Sequence, residues 1–248
     1  MRHKNFQTII GVVIGAVISS ILFSTPSFAN KETVIAVDVG HSKVHPGSTS
    51  AHGISEFEFN SILATEIAKT LSSGLTKAVL IGGDGKMVDL YKRTAQAQSI
   101  GAKFLLSIHH DSAKPQYFKT WVWADKIHKY SDNFSGFGLF VSRKNPYLKE
   151  SLKCASAIGS KLQAFGFHHS TYHADAIAGE NREWADQANG VYYFDDLIVL
   201  KTATQPAVLL EAGVIVNRTE EEELKRRDVQ EKIANAVKAG LSVCGILH

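Results

Sequence analysis

Blocks of apolar residues separated by polar loops predict strands and helices in succession along this chain. The β-branched run TVIAVDV at 33–39 predicts a buried strand, and KAVLIGG and KFLLSIH, which begin at Lys77 and Lys103, predict two more. A helix with one buried face is predicted from Glu56, with Ser55 as its N-cap. Its apolar positions recur at three- and four-residue steps: Phe59, Ile62, Leu63, Ile67 and Leu71.

The same alternation continues through the second half of the chain. The stretch at 87–102 predicts a helix ended by Gly101, and GFGLFVS at 136–142 predicts a strand. LIVLK at 197–201 and PAVLLEA at 206–212 predict two further strands. Two more helices are marked by their apolar positions, which are Leu148, Leu152, Ala155, Ile158, Leu162 and Phe165 in one and Val229, Ile233, Val237, Leu241 and Cys244 in the other. The sequence therefore predicts an α/β fold, with a single twisted, mostly parallel or mixed sheet and helices on both faces.

The first residues have a different pattern. A basic start, RHK, is followed by the apolar run IIGVVIGAVISSILF and then by STPSFA, in which Ser27 and Ala29 have the spacing of a signal-peptidase site. We predict a secretory signal peptide over 1–29, with an uncleaved membrane anchor as the alternative. The remainder, 30–248, has no repeat or linker and is predicted to be one catalytic domain.

Charge and cysteine content narrow the class of protein. The net charge of the 248-residue chain is +3, and two basic residues lie in the predicted signal peptide, so the exported part is close to neutral. Export and near neutrality argue against a nucleic-acid partner, and we expect a monomer. Cys154 and Cys244 either pair in an oxidising compartment or remain buried thiols, and the sequence leaves both open.

Ionisable side chains follow three of the predicted strands at the point where each strand ends. His41 follows the first strand, His109 ends the strand at 103–109, and Glu211 ends the strand at 206–212. Because ligands of α/β sheets collect at the carboxyl ends of the strands, these side chains are expected to meet at one site. A polar, Gly-rich loop at 40–55 follows the first strand, and Glu56, which begins the helix after this loop, can join them.

Two histidines and a carboxylate can hold one zinc ion, with water at the free position. His41, Glu56 and His109 are the candidate ligands, and Glu211 is the candidate proton carrier that a hydrolase requires. Glu56 could instead be a first-turn glutamate favoured by the helix dipole, and Glu58 competes with it as a ligand.

Four segments, in order, resemble the zinc-dependent N-acetylmuramoyl-L-alanine amidases of the Amidase_3 family. They are IAVDVGHS with the following HPG, HGISEFEFN, LYKRTAQAQSIGAKFLLSIHHDS, and YYFDDLIVLKTATQPAVLLEAGVIVNRTEEEEL. The resemblance implies that His41, Glu56 and His109 bind zinc and that Glu211 is catalytic. It also implies cleavage of the amide bond between N-acetylmuramic acid and L-alanine in peptidoglycan.

Other activities remain compatible with this site. A zinc carboxypeptidase or other peptidase acting on cell-wall peptides is one alternative, and an inactive wall-binding module is another. With a signal peptide, we expect the periplasm, and secretion or cell-wall association is the alternative. An activator protein is possible, and its identity does not follow from the sequence.

Several other polar residues are predicted to support or cover the site. His110 points away from His109 by strand alternation, so we interpret it as a supporting or substrate-facing residue. Asp111 and Asp38 are candidates for orienting the ligand histidines. The long segment at 166–190 is interpreted as a substrate-rim loop. By resemblance, Glu180 or Glu183 within it is the candidate for a glutamate that occludes the zinc.

Two charged or histidine-rich stretches receive simpler interpretations. FGFHHSTYHADA, which contains His168, His169 and His173, is predicted to be a polar surface loop; together with His128, these histidines do not make a second metal site. TEEEEL is predicted to be a solvated helix start.

Overall fold

The computed structural model describes Met1, His3 and the ranges 32–177 and 179–247. The predicted signal peptide at 1–29 therefore lies almost wholly outside the described residues. Within the described part of the chain, no helix combines the length and the apolar character needed to cross a membrane.

The described part of the chain contains nine strands and six α-helices. The strands are β1 (Thr33–Val39), β2 (Thr76–Ile81), β3 (Phe104–Asp111), β4 (Lys119–Trp123), β5 (Lys126–Tyr130), β6 (Gly138–Val141), β7 (Trp184–Asp186), β8 (Val191–Tyr193) and β9 (Ala207–Val214). The helices are α1 (Glu56–Leu71), α2 (Leu90–Ser99), α3 (Leu148–Ala164), α4 (Ile198–Lys201), α5 (Arg218–Leu224) and α6 (Arg227–Cys244).

Seven of the strands form one mixed sheet in the order β2-β1-β3-β9-β6-β8-β7, and β4 and β5 form a separate hairpin. Strands β2, β1, β3 and β9 are parallel, whereas β6 pairs with β9 in the antiparallel sense. The predicted mixed sheet is thus confirmed. Its parallel half brings the carboxyl ends of β1, β3 and β9 side by side.

Two hydrophobic layers cover the sheet, one on each face. Alternate residues of β1 enter different layers, since Ile35 and Val37 pack with α1, α3 and α6, whereas Ala36 packs with α2 and α4. The strand is completely buried from Ile35 to Val37. This burial on both faces explains its continuous apolar run, and the prediction of helices on both faces is confirmed.

The prediction of a strand at LIVLK is wrong. Ile198–Lys201 form the short helix α4, closed by a hydrogen bond from the backbone N–H of Lys201 to the carbonyl of Leu197. Val199 and Leu200 are buried in the layer that also contains α2. A short apolar run does not distinguish a buried helical turn from a buried strand, because both bury every side chain that the pattern contains.

The prediction that TEEEEL is solvated is wrong for two of its glutamates. Helix α5 does start here, but the side chain of Glu221 is completely buried and accepts hydrogen bonds from the hydroxyl of Ser50 and the backbone N–H of His52. Glu220 accepts from the backbone N–H groups of Gly136 and Val214. Burial raises the pKa of Glu220 to about 7 despite these bonds. These two carboxylates fix loops to the helix start.

Cys154 and Cys244 form a disulfide that joins α3 to α6, which resolves the question left open by the sequence. We expect its removal in a Cys154→Ala/Cys244→Ala double variant to lower the free energy of unfolding by about 2–4 kcal/mol, because the bond restricts the unfolded chain. Urea unfolding with and without dithiothreitol measures this. The reductant should destabilise the wild type and leave the double variant unchanged; equal effects on both would contradict the prediction.

Candidate metal centre

Three potential metal ligands meet at the carboxyl end of the parallel strands. One nitrogen from each of His41 and His109 and one oxygen from Glu56 lie within 4.8 Å of one another. Oε1 of Glu56 is 3.0 Å from Nε2 of His41 and 3.1 Å from Nδ1 of His109. The two imidazole rings meet edge to face, with their centroids 5.0 Å apart. The sequence-predicted ligands are therefore neighbours in the fold.

The backbone of His41 is held in an unusual conformation. Its φ angle is +67°, in the left-handed region that a non-glycine residue rarely adopts. The buried guanidinium of Arg93 donates hydrogen bonds to the carbonyl oxygens of His41 and Val39, and to Oδ1 of Asp38 at 2.7 Å. Such a clamp on two carbonyls compensates for strain in the loop and directs the imidazole of His41 toward the site.

Glu56 occupies the first turn of α1 and is held from two sides. Its Oε2 accepts a hydrogen bond of 3.0 Å from the backbone N–H of Ser48, and its Oε1 accepts one of 3.2 Å from Nδ2 of Asn60. Burial alone would raise the pKa of Glu56, but hydrogen bonds with His109 and His41 outweigh burial and hold it well below its usual range. The carboxylate is therefore ionised, as a metal ligand must be. Glu58, the competing residue, is exposed and accepts from the hydroxyl of Ser55 instead.

Two glycines leave the space that the ligands occupy. A Cβ at Gly40 would overlap Nε2 of His109, and a Cβ at Gly47 would overlap Oε2 of Glu56. Gly47 also has a φ of +77°, which favours glycine for a second reason. Both positions lie in the loop that the sequence marks as Gly-rich.

This donor set fits a zinc ion. Zinc is commonly held by two imidazole nitrogens and one carboxylate oxygen with one position left open to water. The three donors here converge on one point, two of them are only partly buried, and neighbouring glycines keep side chains out of the space around them.

Glu211 lies beside the three ligands on the neighbouring strand. It is paired in register with His109 across β3 and β9. Its Oε2 is buried, and no hydrogen-bond partner for it occurs among the described residues. Burial, together with the charges of Asp111, Glu56 and Glu180, raises the pKa of Glu211 well above its usual value. An unpaired carboxyl group in such a place is typical of an acid–base residue rather than of a stabilising contact.

Comparison with known proteins decides the family. The model of the N-acetylmuramoyl-L-alanine amidase family, Amidase_3, matches residues 35–243. The chain belongs to this family. The resemblance noted in the sequence is thus confirmed.

Individual amidases are similar to this chain in sequence or in fold. A putative N-acetylmuramoyl-L-alanine amidase of Buchnera aphidicola subsp. Acyrthosiphon pisum is 26% identical over 230 residues, which cover 86% of this chain and 94% of the relative. The crystal structure of the amidase Ami1 from Mycobacterium smegmatis superposes with a TM-score of 0.68 at 19% identity, and covers 87% of this chain and 98% of its own. The CwlD amidase of Clostridioides difficile, solved in complex with the GerS lipoprotein, gives a TM-score of 0.62 at 19% identity, with 85% and 97% covered.

In this member of the amidase family, His110 is buried and contacts Glu56 indirectly, through Asn60. The ring is buried, and its Nδ1 lies 2.8 Å from Oδ1 of Asn60, whose amide nitrogen donates to Glu56. Burial lowers the pKa of His110 to about 3, so the ring is neutral. His110 therefore fixes the orientation of Asn60, and through it the carboxylate of Glu56.

Asp38 and Asp111 are the candidates for orienting His41 and His109, but their hydrogen bonds and ion pairs go to other residues. Asp38 accepts hydrogen bonds from Arg93 and from the hydroxyl of Ser107, so it acts on His41 only through the guanidinium. Arg93, which links Asp38 to the backbone of His41, is not among the residues predicted from the sequence. The signal that could have revealed it is spacing, because Arg93 shares the buried face of α2 with Thr94 and Ala97.

Asp111 forms an ion pair with His173, which the sequence assigned to a surface loop. His173 is only 6% exposed, and its two ring nitrogens lie 2.8 Å from Asp111 and 2.8 Å from Glu180. The prediction of a polar surface loop is wrong at this position, because the segment turns inward and caps the end of β3. Lys114 also pairs with Glu180, at 2.9 Å.

The two candidate occluding glutamates are both engaged away from the three ligands. Glu180 is held by His173 and Lys114, and Glu183 pairs with Arg143 at 2.7 Å on the surface. Among the described residues, the group of converging metal donors contains neither glutamate. The occlusion of the metal site by either glutamate therefore stays a prediction.

The His173 cluster predicts a pH-dependent stability. Burial lowers the pKa of His173, but Asp111 and Glu180 outweigh it and raise the pKa to about 9. Because the folded state holds this proton more tightly than the unfolded state, the stabilisation is complete below pH 6.5 and is lost as the pH rises to about 9. We expect the free energy of unfolding to fall by on the order of 3 kcal/mol across that window.

Urea unfolding at several pH values measures this effect. The decrease should be largely lost in His173→Gln and retained in His168→Gln, which alters an exposed histidine of the same segment. A decrease of equal size in both variants would show that other groups cause it.

A cavity of about 320 Å³ opens beside the ligand histidines. His41 and His109 form part of its wall, and the rest is largely apolar, with Met87, Val88, Leu90, Leu197, Ile198, Val199 and Leu209. Most of the apolar part of the wall comes from α2 and α4 and the residues just before them.

Proposed function

We propose that this protein is a zinc-dependent N-acetylmuramoyl-L-alanine amidase that hydrolyses peptidoglycan. In the reaction, the C–N bond between the lactyl carbonyl of N-acetylmuramic acid and L-alanine breaks. Hydroxyl from water adds to the carbonyl carbon, and a proton goes to the alanine nitrogen. The observation that carries the proposal is the meeting of His41, Glu56 and His109 beside the unpaired carboxyl of Glu211.

His41, Glu56 and His109 would hold the ion. When bound, zinc lowers the pKa of water and polarises a carbonyl group. The chain's own residues supply the remaining functions. Ser48 and Asn60 fix the carboxylate of Glu56, and Arg93 fixes the backbone that carries His41.

Glu211 moves the proton in this proposal. In its ionised form, the carboxylate accepts a proton from the attacking water and then, as a carboxylic acid, passes that proton to the leaving amine nitrogen. Oε2 of Glu211 suits this function because it has no competing hydrogen bond among the described residues. Its buried environment favours the protonated form, so the proton taken from water is held until it is passed to the amine nitrogen as the C–N bond breaks.

The cellular setting is part of the same proposal. Peptidoglycan lies outside the cytoplasmic membrane, and the predicted signal peptide at 1–29 would bring the protein to it. The periplasm is the proposed location. One solved structure of similar fold, the CwlD amidase, is in complex with a lipoprotein, which makes an accessory protein reasonable to look for here as well.

Product analysis tests the function. Purified peptidoglycan is digested by the zinc-loaded protein, with and without chelator, and the new ends are identified by mass spectrometry. An amidase produces lactyl carboxyl groups on muramic acid and free amino groups on L-alanine. Released D-alanine would identify a carboxypeptidase, binding without products a wall-binding module, and cleavage that resists chelator would contradict the zinc mechanism.

A further inference from the structure

A second groove, of about 450 Å³, adjoins the metal centre on the side of the β4–β5 hairpin. Its wall includes Ser48, Thr49 and Ser112 on one side and Ile127, His128 and Lys129 of the hairpin on the other. Two of the residues that line the groove are neighbours of the candidate metal ligands. The backbone N–H of Ser48 holds Glu56, and Ser112 follows shortly after His109 on the end of β3. A substrate bound at the metal centre can therefore extend into this groove.

The β4–β5 hairpin, which forms one wall of the groove, packs against the loop at 40–55 and against Arg218 of α5. Nε1 of Trp121 donates a hydrogen bond of 2.9 Å to the carbonyl of Ala51, and Trp121 and Trp123 both contact His52 edge to face. The guanidinium of Arg218 lies 3.9 Å from the centre of the Tyr130 ring. These contacts all come from one face of the hairpin, and they hold the hairpin in place beside the groove.

The other face of the hairpin carries Lys129. Strand alternation places Ile127 and Lys129 on the face opposite to His128, and residues from both faces line the groove. Lys129 is exposed and lines the groove, as do Ser48, Thr49 and Ser112, whose side chains carry hydroxyl groups. Among the described residues that line the groove, none carries a carboxylate. The lining thus offers a positive charge and several hydroxyl groups, which suits an anionic ligand.

We propose that this groove binds the stem-peptide side of the substrate and that Lys129 recognises a free carboxylate of that peptide. The inference rests on the proposed amidase function, since it assigns one side of the same substrate. The uncharged sugar chain needs no cation, whereas the stem peptide carries carboxylates that a lysine can pair with. Lys129 is therefore a specificity-determining residue rather than a catalytic one.

The test compares two lysines of one hairpin and two forms of one substrate. Steady-state kinetics are measured on a soluble N-acetylmuramoyl tripeptide with free carboxylates and on its carboxamide counterpart. For Lys129→Gln we expect KM on the free acid to rise about fivefold with kcat unchanged, because an exposed ion pair that contributes only to binding is lost. KM on the carboxamide should be the same as for wild type.

Lys126→Gln is the matched control, because Lys126 is also exposed but does not line the groove. It should leave both KM values unchanged. Raising the salt concentration should increase KM on the free acid for wild type and have little effect for Lys129→Gln.

The outcomes separate this inference from the proposed function. If wild type cleaves neither substrate, the amidase function itself is contradicted. If wild type cleaves both and Lys129→Gln matches it on the free acid, the function stands and the stem-peptide assignment is wrong. A loss that is equal on both substrates would also overturn the assignment, because it would show that Lys129 does not recognise the carboxylate.

Discussion

Replacing Glu211 by glutamine is expected to lower kcat by about 10²–10⁴-fold while zinc binding is retained. The amide has nearly the shape of the carboxyl group, but it can neither accept the proton of water nor deliver one to the leaving amine. The three candidate metal ligands belong to other elements and are expected to keep their contacts. Metal content by mass spectrometry and kcat on purified peptidoglycan measure the two effects separately.

Stability gives this prediction a second readout. The ionised carboxylate of Glu211 is buried near Asp111, Glu56 and Glu180, which is why its pKa is raised in the folded protein. A group with a raised carboxyl pKa destabilises the fold increasingly as the pH rises, so Glu211→Gln should raise the Tm of the metal-free protein at pH 7.

The matched control is Glu183→Gln, since Glu183 is an exposed glutamate that pairs only with Arg143 in the described part of the chain. It should leave kcat and the Tm of the metal-free protein close to wild type. A Glu211→Gln protein that keeps kcat would contradict the proposed proton transfer, and one with lowered Tm would indicate a structural role for the side chain.

Replacing Glu56 by glutamine is expected to weaken zinc binding by at least about a hundredfold, because the substitution removes the one anionic donor of the site. The amide can still accept the hydrogen bond from Ser48, so the loop should remain in place. Competition with a chromophoric chelator measures the affinity. Thermal unfolding with added zinc gives a second measure, since the rise in Tm depends on metal bound to the folded state.

Glu58→Gln is the control for this variant. Glu58 lies on the same helical turn but is exposed and bonded to Ser55. Its replacement should leave zinc affinity and activity unchanged. If Glu58→Gln lost zinc and Glu56→Gln did not, the ligand assignment would be reversed.

The sequence predicts well those parts of the protein in which periodicity and strand ends determine position. The apolar run at 33–39 and the spacing of Phe59, Leu63 and Ile67 give β1 and α1 because each pattern fits one regular structure. The same reasoning places His41, His109 and Glu211 at one edge of the sheet, because parallel strands end together. It therefore also brings the candidate ligands and the candidate acid–base residue to one site.

Long-range pairing explains what the sequence did not predict. Whether Glu221 is solvated depends on Ser50 and His52, which lie far away in the chain, and no local pattern encodes that contact. His173 is similar, since only the return of its segment to the end of β3 brings it to Asp111. Arg93 lies on the buried face of its helix, and its partners are Asp38 and backbone carbonyls of distant segments, which no local pattern encodes.

The neighbouring positions of β3 and β9 have a consequence for how the protein acquires activity. His109 and Glu211 are in register on adjacent strands, although β4 to β8 and two helices lie between them in the chain. Contacts between segments so far apart form slowly, because a long loop must close before they stabilise anything. Until β9 enters the sheet, the metal ligands lack their acid–base partner. Partly folded chains are therefore expected to be inactive even when they already hold metal.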